Sequence, residues 1–380
     1  MKRNEIGTAA RVVIKIGSST LTGKAGEQLD KKHVDSIVDI VASLRASGKE
    51  VVLVSSGAIA AGLAPLGMSV RPKDLATQQA AASVGQGLLI SYYNEAFTRH
   101  SLISSQVLLT IDDVVRRAHY QNAQRTLFKL LQLGVVPIIN ENDTVGVQEI
   151  RFGDNDRLAA LVSHLIGADL LVLVTDIDGL YDAPPSKPGA KRISEVPDVT
   201  KLVDVQVGGV GSSGVGSGGM ITKIDAARIA TGAGVSMLLT SLEKLSLALR
   251  GEDEGTFFEA IKDRKSSRLL WLAHASTPNG KLVIDDGAVK ALKERGVSLL
   301  PAGVKSVEGE FISGDTVELV SLQGIVIARG LVAFDSQEIP KMIGKSTKEL
   351  AQTMGPEYER ELVHRDDLVL LKFLAISIIT

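Results

Sequence analysis

Short apolar runs alternate with helical patterns through the first two thirds of the chain, and this alternation constrains the fold more than any other feature. Strand-like runs stand at residues 12–16, 51–54, 105–109, 135–140, 170–175 and 235–240. The periodicity between them predicts helices near 31–47, 74–98, 120–133, 156–166 and 221–232. Strands separated by helices pair in parallel and need cover on both faces, so the predicted fold class is α/β, a mostly parallel sheet sandwiched by helices. In such sheets ligands bind outside the carboxyl ends of the strands. Those ends read Lys15-Ile16-Gly17-Ser18, Ser55-Ser56-Gly57-Ala58, Asn140-Glu141-Asn142-Asp143 and Thr175-Asp176.

Helical periodicity fades after Leu249, and a run of charged and small residues from Lys262 to Arg268 suits a linker. We therefore expect a first domain over 1–262, a linker over 263–276, a second domain over 277–372 and a tail over 373–380. Short β-like runs at 281–284, 316–320, 325–328, 332–334 and 368–371 predict a small β-barrel-like domain with little helix.

A chain of 380 residues with 44% hydrophobic and 23% charged residues is ordinary globular composition. The formal net charge of −2 argues against a protein whose main task is coating nucleic acid. Cysteine is absent, which excludes thiol catalysis, disulfides and Cys-ligated zinc. No apolar stretch follows Met1-Lys2-Arg3-Asn4-Glu5, and the apolar tail 368–380 is shorter than the roughly 20 residues a bilayer span needs. The expectation is a cytoplasmic protein that does not meet membranes. Its six histidines are scattered without metal-ligand spacing and read as packing or surface residues.

Two lysines carry the first chemical signal. Lys15 interrupts the apolar run Val12-Val13-Ile14-Lys15-Ile16, where an ammonium must snorkel out or meet an anion. Lys223 closes a glycine-rich stretch, Gly214-Val215-Gly216-Ser217-Gly218-Gly219-Met220-Ile221-Thr222-Lys223, that runs into a predicted helix. Glycines let backbone N–H groups face an anion, so a phosphate there would meet N–H donors, a helix terminus and an ammonium; a flexible surface loop is the plainer alternative. Two overlapping G-x-G-x-x-G matches start at Gly209 and Gly214, but so glycine-rich a segment matches by chance. A Walker A loop is absent.

The acidic-amide segments Asn140-Glu141-Asn142-Asp143 and Gly153-Asp154-Asn155-Asp156 can hold both ends of an amino acid. The Asp143 carboxylate would meet an ammonium, and the amide of Asn140 or Asn155 would meet carboxyl or carbonyl oxygens. One of the acids could also position Mg²⁺ through water. The plainer reading is two polar turns, with Asp154 as a helix cap.

These segments, with Ser55-Ser56-Gly57-Ala58-Ile59-Ala60-Ala61-Gly62, Thr175-Asp176 and Gly218-Gly219-Met220-Ile221-Thr222-Lys223, resemble the glutamate 5-kinases within the amino acid kinase family. Ile284-Asp285-Asp286-Gly287-Ala288, the stretch Ser298-Leu299-Leu300-Pro301-Ala302-Gly303 and Gly314-Asp315-Thr316 resemble a PUA domain, and the two likenesses span nearly the whole chain. The resemblance implies the amino acid kinase fold and transfer of the ATP γ-phosphoryl group to the γ-carboxylate of L-glutamate, at the entry to proline synthesis. It assigns Lys15 and Lys223 to the moving phosphoryl group, Asp156 to holding both lysines, and Ser56, Gly57, Ala58, Asn140, Asp143 and Asn155 to glutamate. Nucleotide contacts fall to Lys15, Gly17, Ser18, Thr175, Asp176, Ser217, Gly218, Gly219, Met220, Ile221, Thr222 and Lys223, with Mg²⁺ carried on ATP and no direct protein ligand. Ser217 stands where the motif has Thr and keeps the hydroxyl. A homo-oligomer, dimer or tetramer, and handover of the acyl phosphate to a reductase are implied in the same way. A sister kinase for another carboxylate and an RNA-binding protein acting through the PUA-like domain are the alternatives.

Overall fold

A computed structural model describes residues 1–22, 29–115, 117–145, 155–202, 219–261 and 278–371. It divides into two compact units, Met1–Lys265 and Ser266–Thr380.

The strands of the first unit are β1 (Arg11–Ile16), β2 (Glu50–Ser55), β3 (Ser104–Leu109), β4 (Val136–Glu141), β5 (Leu170–Thr175), β6 (Leu180–Tyr181), β7 (Arg192–Ile193), β8 (Glu195–Val196), β9 (Ser236–Ser241) and β10 (Thr256–Phe258). Eight of them form one sheet in the order β3-β4-β2-β1-β5-β9-β10-β8, while β6 and β7 pair separately. From β3 to β9 every pairing is parallel, and β10 joins β9 antiparallel. The helices are α1 (Ser18–Leu21), α2 (Lys31–Ala46), α3 (Ala58–Leu63), α4 (Leu75–Thr98), α5 (Ile111–Val115), α6 (Arg117–Gln132), α7 (Asn155–Leu165), α8 (Met220–Gly232) and α9 (Leu245–Ala248). The expected α/β sandwich is present.

Side-chain alternation along a strand decides what β1 offers each layer. Val12, Ile14 and Ile16 enter a core shared with Val34, Ile37, Val38 and Val41 of α2 and with Leu89, Tyr93, Ala96 and Phe97 of α4. Lys15 therefore points to the opposite layer, where α7 packs on β1, β5 and α8. Parallel register then brings the strand ends level. Ile16 lies opposite Ser55 and Val174, Thr175 opposite Ser241, and Val54 opposite Ile139. The chain leaves β1 toward β2 on one side and later returns to β5 on the other, so the crevice opens at β1, a topological switch point.

The α3 and α4 helices approach at backbone distance. A Cβ at Gly62 would stand 1.9 Å from the Ala81 carbonyl oxygen, and one at Gly85 would stand 1.8 Å from that of Ala58. Only glycine permits this contact. It fixes the start of α3, and with it the turn through Gly57, whose φ of +102° lies in the left-handed region.

In the second unit β11 (Gly280–Ile284), β12 (Val304–Gly309), β13 (Thr316–Ser321), β14 (Val326–Val332) and β15 (Val363–Leu370) form a sheet in the order β12-β11-β13-β14-β15. Among the described residues two α-helices accompany it, α10 (Asp286–Arg295) and α11 (Thr347–Thr353). Leu282, Ile284, Leu292, Val304, Leu319 and Leu350 belong to its own core. Sequence reading differs at three places. The expected runs 325–328 and 332–334 are replaced by the one strand β14, β15 begins five residues before the expected 368, and β12 was not foreseen. The expected linker 263–276 and tail 373–380 lie outside the described residues.

Candidate active site

Three elements bring charge to one point at the mouth of the crevice. Lys15 arrives from β1, Asp156 from the first turn of α7, and Thr222 and Lys223 from the first turn of α8. Lys15 Nζ lies 2.7 Å from Asp156 Oδ1, and Lys223 Nζ lies 3.3 Å from Asp156 Oδ2. The Thr222 hydroxyl donates to the same Oδ2 at 2.9 Å. Asp156 is 1% exposed, Lys15 7% and Lys223 8%. One carboxylate is thus shared by two buried ammoniums.

Burial by itself would push the Asp156 carboxyl up, but Lys15 and Lys223 outweigh it, helped by the hydrogen bonds from Lys15 and Thr222, and the pKa falls to about 2. Lys15 moves down from its ordinary value because burial and the nearby Lys223 charge together exceed the pull of Asp156. A position one residue inside α7 also suits an anion, because the helix dipole is positive there.

Beside this cluster stands a chain of polar side chains. Asn155 Nδ2 donates to Ser56 Oγ at 3.0 Å and to Asn140 Oδ1 at 3.1 Å. Asn140 Oδ1 also accepts the Glu141 backbone N–H at 2.9 Å, and Asn140 Nδ2 donates to Gln86 Oε1 at 2.7 Å. The sequence pattern predicts that the Asn140 or Asn155 amide meets carboxyl or carbonyl oxygens of a ligand. In the structure both N–H groups of Asn155 are used within the protein, and its buried Oδ1 has no hydrogen-bond partner among the described residues.

Gly57 and Ala58 lie at the turn into α3, next to Ser56. Asp143 is half-buried; burial raises its carboxyl to about 6, the Arg71 guanidinium opposing that rise. Gly17 caps α1, where a Cβ would sit 3.8 Å from Lys15 Nζ. The N–H groups of Ser18 and Ser19, the first of α1, have no acceptor within the helix, whereas those of Thr20 and Leu21 donate to the Gly17 carbonyl. Thr175 is buried and donates to Asp176 Oδ1 at 2.9 Å, with Asp176 exposed at the end of β5. Gly219 caps α8, whose first residues are Met220 and the exposed Ile221. Ser217 and Gly218, with the rest of the glycine stretch before Gly219, and Gly153 and Asp154 lie outside the described residues.

Two contributors escaped sequence reading. Gln86 sits inside a long Ala- and Gln-rich helix, and Arg71 precedes a proline in a connecting segment. Nothing local distinguishes either from an ordinary solvent-facing side chain; each becomes visible only when α4 and the α3–α4 connection are brought over the end of β4.

The donor set suits a phosphorylated nucleotide: two ammoniums, a threonine hydroxyl and an open glycine turn. No group of three or more His, Cys, Asp or Glu side chains that could hold a metal ion occurs among the described residues. No helix among them is long and apolar enough to cross a membrane.

Residues 10–241 match the amino acid kinase family, and residues 280–354 match the PUA domain. The chain is 59% identical over 369 residues to a protein of Streptomyces coelicolor named glutamate 5-kinase, covering 97% of this chain and 98% of that one. A protein of the same name from Salinispora arenicola is 58% identical over 369 residues, 97% of this chain and 100% of that one. Among solved structures, the carbamate kinase from Giardia lamblia bound to AMP-PNP aligns with 67% of this chain and 100% of its own at 19% identity, with a TM-score of 0.48. The chain belongs to the amino acid kinase family and carries a PUA domain behind the kinase domain. Within that family it is a member of the glutamate 5-kinases.

Proposed function

We infer that the chain transfers the γ-phosphoryl group of ATP to the γ-carboxylate of L-glutamate, forming γ-glutamyl 5-phosphate and ADP, the first step of proline biosynthesis. The observation that carries this reading is the Asp156 carboxylate shared by Lys15 and Lys223. A γ-carboxylate is already ionised at neutral pH, so it attacks the γ-phosphorus directly, the bond to the β,γ-bridging oxygen breaks, and no proton need move. What obstructs the step is repulsion between two anions and the cost of alignment. Lys15 and Lys223 supply positive charge to the phosphoryl oxygens. Asp156 stays ionised throughout and holds the two ammoniums, which would otherwise repel, at fixed positions. Mg²⁺, carried on the nucleotide phosphates, lowers their charge.

Glutamate would lie along Ser56, Gly57, Ala58, Asn140, Asp143 and Asn155, its ammonium meeting Asp143. The nucleotide would take Gly17, Ser18, Thr175 and Asp176, together with Gly219 to Lys223 and the preceding Ser217 and Gly218. The acyl phosphate is a mixed anhydride that water destroys, which favours rapid handover to a reductase. A homo-oligomer and a cytoplasmic location go with this reading, and RNA binding by the PUA domain is secondary to it. The sister-kinase alternative is not favoured by the identities to glutamate 5-kinases.

The purified protein with Mg-ATP should release ADP with L-glutamate and yield a hydroxamate when trapped with hydroxylamine. Product only with aspartate or acetylglutamate would move the chain to a sister activity.

A further inference from the structure

We propose that Gln86 is a positioning residue for the glutamate site, fixing which way the amides of Asn140 and Asn155 face. The proposal rests on the glutamate kinase reading and adds a residue that motif resemblance did not supply.

The argument starts from the one donor whose identity admits no exchange, a backbone N–H. Glu141 N–H points at the Asn140 side chain at 2.9 Å, so the atom it meets must be the oxygen. Asn140 Nδ2 is then committed to face α4, where Gln86 Oε1 accepts it at 2.7 Å. The same Asn140 oxygen accepts from Asn155, so the Asn155 atom there must be nitrogen. Its second hydrogen goes to Ser56 Oγ at 3.0 Å. These orientations are consistent with one another, and Asn155 is left with only its carbonyl oxygen, buried and without a partner among the described residues.

An acceptor with no donor to offer can meet only a donor on the ligand. On an amino acid that is the α-ammonium, not either carboxylate. Asn155 and Asp143 would then share recognition of the ammonium, while Gln86 keeps Asn155 in its accepting orientation. Without an acceptor at position 86, Asn140 Nδ2 is left unpaired and, of the backbone, only the Glu141 N–H holds the amide in place. The Asn140 side chain can then turn away from that N–H to pair its Nδ2 elsewhere, which frees the Asn155 amide to present an N–H group where an ammonium must bind. Gln86 itself need not touch glutamate.

The test compares Gln86→Met, which keeps length and loses the acceptor, with Asn155→Ala and the double variant, measuring kcat, both KM values and thermal midpoints. Gln86→Met should raise the KM for glutamate roughly tenfold, as loss of one buried hydrogen-bond partner does, and leave kcat and the KM for ATP within about twofold. In the double variant the kcat/KM for glutamate should stay within about twofold of Asn155→Ala alone, because the relay has lost its end. Gln86→Ala is read identically where Gln86→Met unfolds. An unchanged glutamate KM, a parallel rise in the KM for ATP, or additive losses in the double variant would each overturn the proposal. Wild-type enzyme inactive with glutamate would overturn the underlying reading, and the proposal with it.

Discussion

At the residue scale the decisive group is Asp156. Removing its charge leaves two buried ammoniums facing one another, so Asp156→Asn should destabilise the chain by about 3 kcal/mol, measured by urea unfolding. Its pKa of about 2 lies below the unfolded carboxyl's value near 4. The stabilisation is therefore complete above about pH 4 and is lost as pH falls toward 2. Lys223→Ala removes a phosphoryl contact without orphaning the carboxylate, which keeps Lys15. We expect kcat to drop roughly 10²–10³-fold with a small change in thermal midpoint; a loss confined to the KM for glutamate would refute the assignment. Asp143 behaves in the opposite sense. With a folded pKa raised to about 6, it costs stability increasingly as pH rises from 4 to 6. Asp143→Asn should thus raise the unliganded midpoint at pH 7.5 while weakening glutamate, and the wild-type kcat/KM for glutamate should decline below about pH 6. A flat pH profile there would remove Asp143 from ammonium recognition.

At the element scale the glycines of α3 and α4 tie packing to the site. A Cβ at Gly85 would stand 1.8 Å from the Ala58 oxygen and 2.4 Å from the Gly62 nitrogen, so Gly85→Ala must push α3 from α4. The expected cost is about 1–3 kcal/mol, together with a higher glutamate KM, because Gly57, Ala58 and Gln86 all move with that contact. Calorimetry and steady-state kinetics on the same variant would show both or refute the link. How legible each element was in the sequence follows from its surroundings. The strands β1, β2, β4, β5 and β9 are buried between neighbours and announced themselves as apolar runs. Lys15 was conspicuous because it broke one. In the second unit the misread pieces lie mainly on the two edges, β12 and β15. Lys305, Ser306, Arg365 and Asp366 face solvent there, so neither strand presents a continuous apolar run. The break foreseen between 328 and 332 is the Arg329-Gly330 pair, where Val363 packs so closely that a Cβ on Gly330 would meet its Cγ1 at 2.3 Å. Gln86 was illegible for a different reason: its partner, Asn140, is remote in sequence and reaches it only in the folded sheet.

At the scale of the whole molecule, every described residue assigned to the site belongs to the unit Met1–Lys265, which has its own core. A chain ending at residue 261 should keep glutamate-dependent ATP turnover, and loss of turnover in a folded truncated protein would show that the PUA domain completes the kinase. The shared carboxylate has a further effect at this scale. Two lysines and one aspartate sum to +1 at the point of transfer, within a chain of formal net charge −2. So small a field gives little long-range steering of a polyanionic nucleotide. Association rates measured by stopped flow should change little between about 0.01 and 0.15 M salt, although the Debye length shrinks from about 30 to 8 Å over that range. A bare lysine pair would attract every passing polyphosphate; with one positive charge already neutralised from within, capture depends on short-range fit, and the enzyme should work at much the same pace in dilute and in concentrated electrolyte.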